Sequence, residues 1–345
     1  MKKISLVLLA LVIALTSAVC AFAAENKLVI YTARVEKLNN IVIDGFKKKY
    51  NIPVEVVTGG SGEILKRVQA EADSKNVYGD IHWAADETML TNNAKLFQVY
   101  VPKENKKMMK NFRNDGTNVF NPAFAEPNVV IINTDVLKKL GVAKVDSYAD
   151  LLNPKLKGHI IMGDPANSSS AFQCLIGMLY GMGTKHDPMS PAAWKYIDKL
   201  LVNLNGKQAN SSSQIYKGVA AGEYAVGLSF EDPCVELEAS GKYPVKVVYP
   251  KEGVIFPGQS VQIIAGAPHP DNAKKFVDYM LSAEVQSQVG QQMNLRPLRA
   301  GVAVNTKMVP STKIKLFSNY SAPYIAKTKA EILSTFMKHV EDTME

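Results

Sequence analysis

From Lys27 onward the chain alternates short apolar runs with stretches of helical apolar spacing, a rhythm that parallel strands covered by helices satisfy. Lys27-Leu28-Val29-Ile30-Tyr31 reads as a buried strand, followed by a loop at Thr32-Ala33-Arg34 and a helix through Ile41 to Tyr50. Val54 to Val57 is a second strand, a helix runs on to about Ala72, and Asp80-Ile81-His82-Trp83-Ala84 is a third strand. A second alternating unit holds strands at Ile160–Met162 and Ala225–Leu228, and helices are predicted over 271–281 and 283–293. Val129–Ile132 and Val261–Ala265 are apolar strands where the pattern changes, so they read as crossovers between the units. The fold class is therefore α/β with two lobes, each a mainly parallel sheet flanked by helices, joined by two crossover strands that form a hinge. The expected division is 1–23 leader, 24–127 with 266–298 for lobe I, 128–265 for lobe II with the hinge strands, and 299–345 as a C-terminal helical tail.

The leader has the layout of an export signal. Lys2 and Lys3 precede the apolar run Ile4–Val19, and Ala21-Phe22-Ala23 is an A-x-A cleavage site. That run is short for a membrane span. Lipidation of Cys20 is the competing reading, although Val19 is bulky for the position before it; either way the mature protein works outside the cytoplasm. Cleavage leaves Cys174 and Cys234, as a disulfide or as buried thiols.

Three stretches put glycine or hydroxyl residues at helix starts: Gly59-Gly60-Ser61-Gly62, Asn167-Ser168-Ser169-Ser170 and Asn210-Ser211-Ser212-Ser213. Ser170 with Gln173, and Ser211 with Gln214, have capping-box spacing; Gly60 with Glu63 is a weaker version. Unpaired N–H groups and the positive dipole end make a helix start suit an anion. Each run alone would simply cap its helix, but the three together point to a cage. In open α/β sheets ligands bind beyond the carboxyl ends of strands, where Arg34, Ser61 and the Trp83–Glu87 segment fall.

A net charge of +8 tempts a nucleic-acid reading, but the lysines are dispersed along helix faces and two leave with the leader, so no nucleic-acid partner is expected. A secreted serine hydrolase would be the alternative of another class. The chain has no G-x-S-x-G elbow, no H-E-x-x-H motif and no histidine beside either serine run, so no catalytic residue is assigned.

The segment Asn153-Pro154-Lys155-Leu156-Lys157-Gly158, continuing to Gly163-Asp164-Pro165-Ala166-Asn167-Ser168, resembles extracytoplasmic solute-binding proteins of ABC importers. Within these it is similar to the ferric-iron-binding group, whose relatives bind phosphonates and sugar phosphates. Val219–Gly227, Asn272–Phe276 and Asn294-Leu295-Arg296-Pro297-Leu298 support the resemblance, which runs from about Lys27 to Leu298. It implies a two-lobed periplasmic-binding-protein fold, a monomer that docks on a permease in the cytoplasmic membrane, and no cofactor.

The iron-binding relatives hold metal with two adjacent tyrosines placed just after the strand at Ala225–Leu228, where this chain has Ser229-Phe230-Glu231-Asp232. The family's histidine after the first strand is also missing. The anion-binding part is retained: Ser168, Ser169, Ser170 and Asn210 stand where the resemblance places anion contacts. Two ligands therefore stay open. Arg34, Ser61, Gly62, the serines and Asn210 would hold a phosphate or phosphonate, with Glu231 and Asp232 facing the organic part, where Trp83 and Tyr31 would stack. Alternatively Glu231, Asp232 and Asp86 would replace the tyrosines and hold ferric iron as cargo. Glu231-Asp232-Pro233 also reads as a plain turn, Trp83 as core, and His82 as a strand residue facing away from the cleft.

Overall fold

The computed structural model describes residues 26–209 and 211–344. The leader, Cys20 and Asn210 lie outside them. The strands are β1 (Leu28–Thr32), β2 (Val54–Thr58), β3 (Ile81–Asp86), β4 (Phe97–Gln98), β5 (Pro122–Ala125), β6 (Asn128–Asn133), β7 (Ile160–Gly163), β8 (Gln208–Ala209), β9 (Val226–Phe230), β10 (Val245–Val248), β11 (Gly258–Ile264) and β12 (Arg296–Pro297). The helices are α1 (Glu36–Tyr50), α2 (Ser61–Ser74), α3 (Glu87–Thr91), α4 (Thr134–Lys139), α5 (Ser169–Met182), α6 (Pro191–Leu204), α7 (Ser212–Ala221), α8 (Glu231–Ala239), α9 (Pro270–Met280), α10 (Ala283–Gln292) and α11 (Ala322–Met344).

Two sheets form the two lobes. The first runs β12-β5-β11-β3-β1-β2, with β4 on β11, and the second runs β10-β6-β9-β7-β8. Their central strands are buried on both faces, which is why these read as unbroken apolar runs. In β1, Leu28 and Ile30 enter the core under α1 and α9, while Val29 and Tyr31 enter the opposite core under α2. In β6, Val130 and Ile132 pack toward α5 and α6, and Val129 and Ile131 toward α7.

The sequence pattern anticipates the parallel pairs β1–β2, β1–β3 and β7–β9. Strands arriving from the other lobe run the opposite way, so β11 is antiparallel to β3 and β5, and β6 to β9. Each sheet is therefore mixed. Val261–Ala265, read as a crossover strand, begins inside β11 and pairs within the first sheet, so the return crossing lies earlier, between β10 and β11. The first crossing is only the two residues Glu126-Pro127, between β5 and β6.

Of the C-terminal segment only a short 3-10 turn at Ser311–Lys313 and the α-helix from Ala322 are helical, and that helix packs against both lobes. Helix α11 packs on α3 of lobe I and on α6 of lobe II. Asn92 Nδ2 donates to Ala326 O at 3.2 Å, while Ile325, Ile332 and Phe336 enter the lobe II core.

Candidate functional site

Six strand ends point their carboxyl termini at one cleft. β1 leads to Arg34, β2 to Ser61 and β3 to Met89 in lobe I; β7 leads to Ser169 and Ser170, β8 to Ser212, and β9 ends at Phe230 in lobe II. Together with Glu126, Asn128, Pro257 and Gln259 these residues line a cavity of about 200 Å³ where the two crossings meet. This is the position the open-sheet rule gives for a ligand, here satisfied from both lobes at once.

The loop that carries Arg34 is held by its neighbours. Thr32 Oγ1 donates to Asn39 Oδ1 at 3.1 Å and accepts from Arg34 N at 3.1 Å, and Asn39 Nδ2 donates to Arg34 O at 3.0 Å. Helix α2 begins at Ser61 after Gly60, whose N–H donates to the Glu63 carboxylate at 3.3 Å. That matches the spacing noted in the sequence. Ser61 faces the cavity, whereas Gly62 is exposed and does not line it.

On lobe II the expected capping of α5 is shifted. The cap is Ser168, not Ser170: Ser168 Oγ accepts from Ala171 N at 3.3 Å. Ser170 is thereby released from capping, and its Oγ lies 3.1 Å from Ser168 Oγ and 2.8 Å from Ser212 Oγ. The second contact ties the starts of α5 and α7 together, so two helix N-termini converge on one wall. Ser211 caps α7 as its spacing predicts, accepting from Gln214 N at 3.4 Å.

Glu231 does not face the cleft. It is fully buried in a bidentate pair with Arg296 of β12, which donates from Nε at 2.9 Å and from Nη2 at 2.5 Å, and Tyr249 OH donates to it as well. Its role as a ligand contact or a metal ligand is thus corrected. A carboxylate at the base of α8 finds an arginine that only the return of the chain to the first sheet delivers. Tyr31 is likewise corrected: it lies in the core, its OH donating to Glu71 at 2.5 Å, and stacks on no cleft. Burial holds its phenol well above the usual range. His82 is fully buried with Nδ1 3.0 Å from Gln262 Oε1, and desolvation lowers it to about 4. Asp86 ends β3 ahead of α3. Among the described residues no group of three or more histidine, cysteine or acidic side chains is placed to hold a metal ion.

A second cavity of about 180 Å³ adjoins the first, with Arg34, Glu126, Phe230 and Gln259 common to both. Its walls are Trp83, Phe124, Leu38 and Leu295, and its polar groups include Asp232 and Glu126. Sequence reading missed Glu126, Asn128, Gln173, Ser212 and Gln259 as lining residues. Ser212 had a signal, since it sits in the third serine run. Glu126 is raised to about 8 by burial first and by Asp232 second, with Arg34 opposing. Asp232 is also raised, chiefly by burial. Asn128 Nδ2 donates to Ser170 O at 3.1 Å and is nearly buried, which positions its amide at the cavity wall. Cys174 and Cys234 are separate buried thiols; burial pushes Cys174 up to about 12.

The family model for bacterial extracellular solute-binding proteins matches residues 42–315. The chain belongs to that family. Its members are binding proteins that work with ABC-transporter permeases. Over 84% of its length the chain is 28% identical to an uncharacterized protein of Haemophilus influenzae, covering 83% of that protein. It is 28% identical to the spermidine/putrescine-binding periplasmic protein of Escherichia coli, over 55% of this chain and 56% of that one. A putative 2-aminoethylphosphonate-binding periplasmic protein of Salmonella typhimurium is 24% identical over 76% of this chain and 74% of its own. Among solved structures, the periplasmic binding protein AfuA of Actinobacillus pleuropneumoniae, with exogenous fructose-6-phosphate bound, superposes at a TM-score of 0.78 with 23% identity, covering 92% of this chain and 99% of that one. Iron-bound HitA of Pseudomonas aeruginosa gives 0.74 with 19% identity, over 91% and 99% of the two chains. These structures share the two-lobed fold.

Proposed function

We propose that this protein is the receptor of an ABC importer for a small organic phosphate or phosphonate, captured between the lobes outside the cytoplasm and passed as a monomer to a membrane permease. The observation that carries the reading is the 2.8 Å contact between Ser170 Oγ and Ser212 Oγ, which brings two helix starts together in a cavity that Arg34 also lines. Hydroxyls, helix N-termini and one guanidinium form a donor-rich set that suits a tetrahedral oxyanion. Asn210 joins this set in the proposal by its place in the third serine run.

Ferric iron is the weaker reading because Glu231, its expected anchor, is consumed by Arg296 and Tyr249. The likeness to HitA concerns the fold, while the phosphonate-binding relative and the sugar-phosphate complex of AfuA agree with an anion cage. The deciding experiment is thermal unfolding of the mature protein with ferric citrate, inorganic phosphate, hexose phosphates and 2-aminoethylphosphonate, since a ligand selective for the folded state raises the midpoint. The expected result is a rise with at least one organic phosphate or phosphonate and none with ferric citrate. A rise with ferric citrate alone overturns the assignment.

A further inference from the structure

The second cavity has no role in holding an oxyanion, yet it opens onto the same space. Two carboxylates from different parts of the fold line it: Glu126 from the first crossing and Asp232 from α8. Apart from Arg34 and Gln259, which it shares with the first cavity, the remaining walls are apolar and include the rings of Trp83, Phe124 and Phe230, with Trp83 fully buried and Phe124 nearly so. The charges that act on Glu126 are Arg34, Asp232 and Glu231; those on Asp232 include Glu236 and Lys37. Glu231 is already neutralised by Arg296. Once a phosphate or phosphonate occupies the first cavity and draws on Arg34, Glu126 and Asp232 are left beside a further anion.

An independent observation marks the same cavity as ligand space. The indole Nε1–H of Trp83 has no hydrogen-bond acceptor among the described residues, although the side chain is fully buried. A buried donor without an acceptor is costly, so native proteins rarely leave one unless something else binds there. An aromatic wall beside two carboxylates is also the setting in which an alkylammonium is best held, by charge and by the ring faces together.

We infer that the second cavity is an ammonium pocket, so that the solute carries a cationic amine a few bonds from its phosphate or phosphonate. This rests on the anion-cage reading above. Glu126 and Asp232 pair with the ammonium beside the aromatic wall, and the Trp83 N–H, a donor that cannot bond a cation, is left for a phosphonate oxygen reaching over from the adjoining cavity. Because burial holds the Glu126 proton near neutrality, arrival of the cation displaces that proton to solvent.

The test is calorimetric titration of the intact mature protein at pH 7 with three probes of one skeleton: 2-aminoethylphosphonate, 2-hydroxyethylphosphonate and ethylphosphonate. The amine should bind roughly 30-fold or more tightly than the other two, as expected for a desolvated charge pair. Titrations in buffers of different ionisation enthalpy should show proton release with the amine that falls in the Glu126→Gln variant. Glu126→Gln and Asp232→Asn together should bring the three probes to within about threefold of one another. Equal binding of all three probes to the unaltered protein overturns the ammonium pocket and leaves the anion cage standing. Binding of none of them, nor of inorganic phosphate, removes both.

Discussion

Glu231 and Arg296 belong to different lobes, and their buried bidentate pair is a pin through the joint between them. Arg296 also donates to Ser311 Oγ and to Val309 O, both at 2.9 Å, and its guanidinium lies against the rings of Tyr249 and Phe256. Tyr249 and Phe256 sit on the return crossing, so the pair is anchored where the chain passes from one sheet to the other.

Removing one partner would leave a buried uncompensated charge. Arg296→Met should therefore destabilise the protein by about 3–5 kcal/mol, and adding Glu231→Leu should recover most of that loss. Denaturant unfolding of the single and double variants checks this. A double variant as unstable as the single one would mean that packing around Tyr249, and not charge, carries the effect.

In the cleft the effects should be local. Arg34→Ala should weaken a phosphate-bearing ligand about 30-fold or more, and Ser170→Ala or Ser212→Ala about fivefold each. Because the two serines share one contact, the double serine variant should lose less than the product of the single losses. Fluorescence titration with two tryptophans in the chain, one of them Trp83, reads this directly, and unfolding midpoints within a degree or two of the parent exclude a folding defect.

Stability should also depend on pH through Glu126. Its folded value of about 8 lies above the usual carboxylate value near 4.3, so the folded state holds the extra proton across that window. Stability then falls as pH rises, by up to about 1.4 kcal/mol per pH unit. His82 acts with the opposite sign: lowered to about 4, it adds stability as pH rises from there to its ordinary value near 6.5. Below that point the two trends offset each other; above it only the Glu126 decline remains. Glu126→Gln should flatten stability between roughly pH 6.5 and 8 and shift its slope toward a rise with pH below that, where the raised Asp232 still opposes His82. Chemical denaturation across this range gives the slopes, and an unchanged decline in the variant would contradict the assignment.

Helix α11 links the lobes from outside the cleft. It meets the residue just after α3, Asn92, and on lobe II it stacks His339 on Trp194 with ring centroids 5.2 Å apart, His339 also pairing with Asp198. Deleting residues 321–345 would uncover Trp194 and remove Ile325, Ile332 and Phe336 from the lobe II core. The shortened protein should unfold several degrees lower, with faster amide exchange in α5 and α6 than in α1 and α9. Equal exchange in all four helices would show that α11 adds little to lobe II.

Much of this was legible in order along the chain. Strands buried on both faces leave continuous apolar runs, helix starts need hydroxyl or glycine residues, and both signals depend on near neighbours. That is why the β1–β3 unit, Ser61, the Ser168 to Ser170 run and Arg34 could be picked out from sequence. Long-range pairing leaves no such mark. Whether Glu231 faced a ligand or an arginine depended on β12, which arrives 65 residues later. The antiparallel strands, the cavity shared by Glu126 and Asp232, and the release of Ser170 by Ser168 were decided in the same way. Local patterns determined the elements and the chemistry at their ends; the tertiary structure decided which charges met, because burial and pairing depend on groups that the chain brings together only when it is folded.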